Sequence, residues 1–277
     1  MMMRRYFTLL YILALAVATT AQERKPQNKP YIDLRPMHFG ISVGFNTQDI
    51  EFQNVGPQTI VGEDGTTTET ILCDQDTWDP GFSVGVLADW RLSKHINLRL
   101  SPTMHFGAKH LTFRNLNKLD DYGQPMLSTQ DLKNTYISCP IDLKFSAERF
   151  NNYRPYIIGG LSPMVNLSGK EQEFIQLKRY DVMAEIGLGC DFYLPFFKLI
   201  PELKFCYSLT DAIDYRHTDE LQDVNKRVYA QSVTPGRSKM IVLTFYFEYA
   251  KIPPQVFSRS NGAPFNTHGV CSEFSRD

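Results

Sequence analysis

The stretch from Asp181 to Leu194, DVMAEIGLGCDFYL, decides the fold. Apolar side chains occupy every second position from Val182 to Phe192, and polar residues or glycines occupy most of the positions between them. Because successive side chains of a β-strand point to opposite faces of a sheet, this alternation predicts a strand with one apolar and one polar face. The stretch exceeds the ~5 or 6 residues of a globular strand and suffices for the about 9 to 11 that cross a bilayer at a tilt.

Seven further segments alternate in the same way, least cleanly in Pro155–Leu167. They are His38–Phe45, Gly81–Leu92, Ile96–Phe113, Tyr136–Ala147, Pro155–Leu167, Lys198–Leu209 and Met240–Tyr249. Their connections alternate between long ones, such as 46–80, 114–135 and 210–237, and short ones. Outer-membrane barrels combine short periplasmic turns with longer extracellular loops. We therefore predict an all-β fold, an eight-stranded antiparallel transmembrane β-barrel with short periplasmic turns and long extracellular loops, in the cell outer membrane.

A soluble, lipocalin-like barrel would show the same periodicity with the apolar face turned inward. The strand lengths, the loop pattern and an export signal favour the membrane form. Arg4 and Arg5 precede an apolar stretch from Phe7 to Val17, and small residues then predict cleavage after Ala21. The apolar stretch is short for a membrane anchor, the alternative interpretation. The expected organisation is a signal peptide at 1–21, a periplasmic lead at 22–37, the barrel at 38–250 and a flexible periplasmic tail at 251–277.

Composition excludes several classes of protein. The 29 lysine and arginine residues nearly balance the 30 aspartate and glutamate residues, so nothing indicates a nucleic-acid partner. The five cysteines are irregularly spaced without a C-x-x-C pair, which argues against a zinc ribbon or a thioredoxin-like motif. Cys139, Cys190 and Cys206 fall in predicted strands, where we expect small apolar packing residues; a disulfide is the alternative.

Charged residues recur on the face predicted to point into the barrel. The lumen of an eight-stranded barrel is narrow and filled by side chains, so charges there should pair. The structural interpretation is a salt-bridge plug, and the functional alternative is a proton or ion path. The residues proposed for this charge network are Arg99, Asp142, Lys144, Glu185, Glu202 and Lys204, with Asp89, Arg91 and Glu248 on the same predicted face.

The first long connection is acidic, with no lysine or arginine between Asn46 and Pro80. Several carboxylates together suit calcium, but the spacing of an EF-hand is absent. We expect a solvated acidic loop. Its acidic residues are Asp49, Glu51, Glu63, Asp64, Glu69, Asp74, Asp76 and Asp79.

Motifs for catalysis are not found. The sequence contains neither G-x-S-x-G nor H-E-x-x-H, and no glycine loop of the kind that binds phosphate. Ser101 and His105 share one strand face, as in a membrane lipid-modifying enzyme, but no orienting third residue accompanies them. We predict no enzyme activity, no catalytic residues, no metal, no cofactor and no small-molecule substrate.

Several short stretches, in order and spacing, resemble the PorT family of Bacteroidota over about Pro30 to Ala250. They are Pro30-Tyr31-Ile32-Asp33, His38-Phe39-Gly40, Gly44-Phe45-Asn46, His95-Ile96-Asn97-Leu98-Arg99, Arg154-Pro155-Tyr156, Asp181-Val182 with Glu185, Gly187, Gly189 and Asp191, and Pro201-Glu202-Leu203-Lys204. The resemblance implies an outer-membrane barrel associated with type IX secretion, needed to export cargo that carries a C-terminal secretion domain. It brings no catalytic residues.

Because eight strands cannot enclose a passage for folded cargo, we expect an accessory component rather than the pore. The alternatives are a structural or surface-interaction barrel without a secretion role and, less favoured, a lipid-modifying membrane enzyme. Expected partners are outer-membrane lipid, lipopolysaccharide and other type IX secretion components.

Overall fold

The computed structural model describes residues 28–62, 65–168, 174–215 and 224–248. The predicted signal peptide, the first part of the lead and the predicted tail with Cys271 lie outside these ranges. A 3-10 turn at Ile32–Leu34 precedes the sheet. The remaining elements are β1 (Met37–Asn54), β2 (Pro57–Gly62), β3 (Gly65–Thr77), β4 (Pro80–Arg91), β5 (Ile96–Leu100), β6 (Thr103–Leu119), β7 (Pro125–Ser138), β8 (Ile141–Ser146), β9 (Tyr153–Asn166), β10 (Tyr180–Tyr193), β11 (Lys198–Ser208), α1 (Val224–Gln231) and β12 (Val233–Glu248).

Ten of these twelve strands form one closed antiparallel ring, and β2 and β3 form a hairpin in which β3 pairs with β6. β1 pairs with β4 on one side and with β12 on the other, so the first and last strands close the ring. β5 and β6 are the two parts of one ring strand, and β7 and β8 are the two parts of the next. β9, β10 and β11 complete the circuit to β12. Counting these two-part strands once, the ring has the eight strands predicted from the sequence.

The two interrupted strands break at the same level. Ser101-Pro102 separates β5 from β6, and Cys139-Pro140 separates β7 from β8. The pairs Leu100–Ile141 and Thr103–Ser138 show that the register continues unchanged across the gap. Because proline has no backbone N–H, it cannot donate to the ladder, which accounts for the local loss of pairing.

At the end of the barrel that carries the long connections, here called the long-loop end, the strands extend further than predicted. β1 continues to Asn54, β6 reaches Leu119, β7 begins at Pro125 and β12 begins at Val233. The predicted connection 46–80 consists mostly of the end of β1 and the β2–β3 hairpin. The predicted connection 114–135 consists of the ends of β6 and β7 and the turn between them, and the connection 210–237 contains α1. The predicted strand bounds were too short there, because strands beyond the bilayer no longer need the continuous apolar outer face that marks them in the sequence.

The interior changes character along the barrel. In the middle of the barrel and at the end with the short connections, here called the short-turn end, apolar side chains point outward and polar side chains point inward. Ile186, for example, is 67% exposed. At the long-loop end the inward residues instead form an apolar core under α1. Its members include Ile50, Ile71, Leu111, Phe113, Leu132, Ile213, Val228 and Tyr229. This core closes the lumen at the long-loop end.

The lead closes the other end. Lys29 donates to the Phe196 carbonyl in the β10–β11 turn at 2.7 Å, and Pro36 accepts from the Arg91 backbone N–H at 2.9 Å. Between them the Tyr193 hydroxyl donates to Asp33 at 2.6 Å, while Ile32 is buried. The predicted lead is therefore, from residue 28 onward, packed across the short-turn end. In the part of the chain described above, no helix is long and apolar enough to cross a membrane.

Candidate functional site

All six residues proposed for the charge network are buried in the barrel interior, with exposed fractions of 8% or less. Arg99 and Asp142 are directly opposite each other on β5 and β8, while Glu185 lies on β10 and Glu202 and Lys204 lie on β11. Their inward orientation follows from the alternation of each strand, because the neighbouring residues carry the exposed apolar face.

Arg99 is the centre of the network and is fully buried. Its guanidinium donates to Glu202 at 2.5 Å and to Asp89 at 2.9 Å. It also lies over the rings of Tyr156 and Tyr246, and the guanidinium carbon Cζ is 5.3 and 5.2 Å from the two ring centroids. Both tyrosine hydroxyls donate to Glu202, at 2.5 and 3.1 Å. The arrangement combines charge-assisted hydrogen bonds with cation–π contacts, each of which is strengthened by desolvation.

Lys204 joins three carboxylates. Its ammonium lies 2.8 Å from Oδ2 of Asp142, 3.0 Å from Oε2 of Glu185 and 3.5 Å from Oε1 of Glu202. Glu202 therefore connects Lys204 to Arg99. The removal of any one partner would leave a buried charge without compensation, which is far more costly than the loss of an exposed ion pair.

A second branch of the network extends to the short-turn end. Lys144 lies 2.8 Å from Asp191, and Lys198 bridges Asp191 and Glu248, both at 3.1 Å. His38 on β1 forms a hydrogen bond with Glu248 at 2.5 Å, Nδ1 to Oε1. The branch links β1, β8, β10, β11 and β12, so the charges connect opposite walls as well as neighbouring strands.

Sequence reasoning missed Asp191, Lys198, His38 and the two tyrosines as network members. Lys198 is the first residue of its strand, and it alternates with the inward-facing Ile200 and Glu202. The sequence pattern could therefore have predicted that it points inward. Tyr156 lies on the strand whose alternation was least clean. Arg91 was predicted to point inward and does not join the network: it is half-buried at the short-turn end and donates to the Ser93 carbonyl at 3.3 Å.

The lead adds a polar cluster below the network. Arg149 lies over the Tyr193 ring at 3.6 Å and 3.4 Å from Asp33. It also donates to the Lys29 carbonyl at 3.1 Å. Burial against this cluster lowers the pKa of the Lys29 ammonium. Outside the barrel wall, the exposed pair Lys94–Glu148 lowers the pKa of the Glu148 carboxyl through its hydrogen bond.

Ser101 and His105, the weak catalytic candidates, both lie in the closed interior. The His105 ring bonds to Ser83 at 2.8 Å and Ser138 at 3.0 Å. Neither nitrogen is directed at Ser101, whose hydroxyl has no hydrogen-bond partner. The pair therefore does not form a nucleophile and base.

The acidic segment is more ordered than expected. Glu51 forms an ion pair with Lys239 at 2.5 Å, and Glu69 is buried and lies 2.8 Å from Lys118. The prediction of a solvated loop missed these partners because they come from β12 and β6, which are distant in the sequence. Glu63 and Asp64 lie outside the described residues. Within those residues, no group of three or more histidine, cysteine or acidic side chains is arranged to hold a metal ion.

The described cysteines take different positions. Cys139 is exposed on the outer wall in the gap between β7 and β8, and Cys190 is half-buried. Cys206 is buried in the lumen among methionines, and Cys73 packs in the apolar core. Cys139, Cys190 and Cys206 are free.

Comparisons with solved structures recover barrels of low identity. OprG from Pseudomonas aeruginosa is 12% identical, with a TM-score of 0.42, covering 77% of this chain and 96% of that one. Neisserial surface protein A is 11% identical, with a TM-score of 0.37, covering 76% and 97%. The outer membrane protease OmpT from Escherichia coli is 10% identical, with a TM-score of 0.36, covering 83% and 99%. Similarity at this level assigns no activity, and no curated protein matches the chain.

A family model decides the assignment. The model described as "Outer membrane protein beta-barrel domain" matches residues 20–214, which is most of the chain and includes the ring from β1 to β11. The match agrees with the closed ring, the apolar outer wall and the polar interior, and with the predicted location in the outer membrane. The chain belongs to the outer-membrane β-barrel domain family.

Proposed function

We propose that this barrel is an accessory outer-membrane component of type IX secretion, needed for export of cargo with a C-terminal secretion domain, and is not itself the pore. The support is the coincidence of two independent observations. The stretches that resemble the PorT family include residues that hold the barrel together: Asp33 docks the lead, and Arg99, Glu185, Glu202 and Lys204 belong to the network.

The closed lumen supports the accessory role over the pore. Arg99 and Glu202 join opposite walls, the lead covers the short-turn end, and the apolar core fills the long-loop end. A passage for cargo would require all three to move. The barrel instead presents the packed lead at one end and the apolar core under α1 at the other.

A surface-interaction barrel without a secretion role is the second candidate. The observation in its favour is the β6–β7 hairpin, which carries exposed apolar residues at its tip: Leu119, Tyr122 and Met126, of which Tyr122 is 90% exposed. Exposed apolar groups of this kind mark contact sites on soluble surfaces. In both candidates the apolar outer wall contacts outer-membrane lipid and lipopolysaccharide, and neither candidate involves nucleic acid or a small-molecule substrate.

A gene deletion with complementation separates the two. If the protein is a secretion component, we expect the deletion strain to accumulate cargo with the C-terminal secretion domain in the periplasm, and this cargo to be missing from the medium. Periplasmic marker enzymes should stay inside the cells. Complementation with the wild-type gene restores export. An unchanged secretome contradicts the secretion role and favours the second candidate. Complementation with Ser101→Ala separates an enzyme, which would lose function, from either barrel role.

A further inference from the structure

The wall has a slit at the long-loop end, between β1 and β3. The β1–β4 ladder ends at Thr47, and the β2–β3 ladder begins at Pro57 in the same register. Residues 48–56 therefore face residues 71–79, and no ladder pair joins these two stretches, both of which the structure describes in full. On their other sides β1 pairs with β12 and β3 pairs with β6. The slit, defined by these two stretches, thus lies between two strand edges that have no ladder partner.

Side-chain amides cross the slit in place of the ladder. Gln75 donates to the Gln48 carbonyl at 2.8 Å and accepts from the Ile50 N–H at 3.1 Å. From the opposite side, Asn54 accepts from the Cys73 N–H at 2.9 Å and donates to the Cys73 carbonyl at 3.4 Å. Each carboxamide therefore uses a donor and an acceptor against the facing backbone, as the peptide groups of an inserted strand would.

Two aspartates bind N–H groups at the same edges. Asp49 accepts from the Ile50 N–H and Asp74 accepts from the Gln75 N–H, both at 2.8 Å. An edge strand with free N–H groups is a template for pairing with another chain, and buried backbone groups need a partner. Here these partners are side chains, which can rotate away when a strand replaces them.

A cavity of about 390 Å³ lies at the slit, within the ~300–1,000 Å³ of ligand pockets. It is lined from both edges and by Arg114 of β6 and Lys239 of β12, which flank them. Its inner side is apolar, because Ile50 and Cys73 belong to the core under α1. A strand that entered here would place alternate side chains against this core and in the outer mouth. The acidic residues that line the mouth are Asp49, Glu51 and Asp74.

We propose that the slit accepts an extended peptide segment of another protein as an additional strand, with apolar side chains toward the core and basic side chains toward the acidic mouth. Main-chain hydrogen bonds to both edges replace those of Gln75 and Asn54, as in other cases of strand addition. Neighbouring strands lie ~4.8 Å apart, so the two edges must separate to about twice that distance. Because hydrogen bonds are exchanged for hydrogen bonds, entry leaves no edge group unsatisfied. This inference does not depend on a role in secretion.

The test uses a synthetic peptide as long as the slit, with alternating valine and lysine, added to the mature full-length chain refolded in detergent. Amide hydrogen exchange, measured by mass spectrometry, should slow several-fold in residues 48–54 and 71–77 and stay unchanged in β9 and β10. A peptide with proline in place of every second valine cannot complete the ladder and should give no protection. A peptide with glutamate in place of lysine should protect the slit at least several-fold less.

Removal of the crossing amides tests the same site from the side of the protein. Asn54→Ala/Gln75→Ala lacks the groups that compete with the peptide, so it should bind the valine–lysine peptide several-fold more tightly than wild type. Gln130→Ala is the matched control, because Gln130 also bonds to a facing N–H and carbonyl, those of Ile175, outside the slit. It should bind the peptide as wild type does. Heat-modifiable mobility on a gel confirms folding of each variant.

Equal protection by the proline peptide, or no tighter binding by the folded double variant, would overturn the proposal. If the double variant does not fold, the comparison of the peptides on wild type decides. Protection of the slit that rises with protein concentration in the absence of peptide would identify a second copy of this chain as the occupant, which also overturns it.

Discussion

Arg99 and Glu202 meet across the lumen, with Nη1 of Arg99 on β5 lying 2.5 Å from Oε2 of Glu202 on β11. Three strands of the ring separate β5 from β11 in either direction, when each two-part strand is counted once. The pair is therefore a diametric brace. It couples walls that share no backbone hydrogen bonds.

The first prediction concerns this brace. Arg99→Ala leaves Asp89 and Glu202 without their main partner, and we expect a loss of about 3 to 5 kcal/mol because the remaining charges are buried. Glu185→Gln should also lower stability, because it removes one partner of Lys204. The measurement is the temperature at which the purified barrel loses its heat-modifiable mobility. Arg91→Ala, at a half-buried arginine outside the network, should change it little; equal effects of Arg91→Ala and Arg99→Ala would contradict the brace.

The second prediction concerns the lead. Asp33 accepts from the Tyr193 hydroxyl and faces Arg149 and Arg154, so Asp33→Asn weakens one hydrogen bond and two charge contacts. We expect faster amide hydrogen exchange in residues 28–36, with exchange in β10 and β11 unchanged. Leu34→Ser, at an exposed position of the same turn, is the control. Slow exchange in the lead of Asp33→Asn would show that Ile32 burial and the hydrogen bonds of Lys29 and Pro36 hold the lead without Asp33.

The eight strands and their inward faces could be predicted from the sequence because alternation reports a wall with two different environments. Glu185 and Lys204 are examples, since each is a buried charged residue between apolar neighbours that are less buried. The pairing of Arg99 with Glu202 follows from ring closure, which no local pattern encodes. The ordered long-loop end was missed for a related reason: Phe113 and Ile71 belong to a core whose members are brought together only by tertiary structure.

The third prediction concerns orientation. The short turns should face the periplasm and the β6–β7 hairpin the outside. In a variant with the native cysteines replaced, Tyr122→Cys should react with a membrane-impermeant maleimide in intact cells, because Tyr122 is 90% exposed. Asn152→Cys, in the β8–β9 turn, should react only after the outer membrane is opened. The reverse labelling pattern would invert the topology.

The last prediction separates the two sections of the interior. Phe113 is fully buried in the apolar core, with its ring 5.3 Å from that of Phe174 and 5.7 Å from that of Tyr229. Phe113→Ala removes these contacts and leaves a cavity, at a cost of roughly 3 to 5 kcal/mol in well-packed cores. The charge network lies elsewhere along the barrel, so the ring should persist while the long-loop end opens locally. We expect protease added to intact cells to cleave the β2–β3 and β6–β7 hairpins faster in Phe113→Ala than in wild type, with heat-modifiable mobility retained. Leu127→Ala, on the exposed outer face of β7, is the control. Loss of the folded barrel in Phe113→Ala would instead show that the apolar core and the charge network form one cooperative unit, and would reject the division between them.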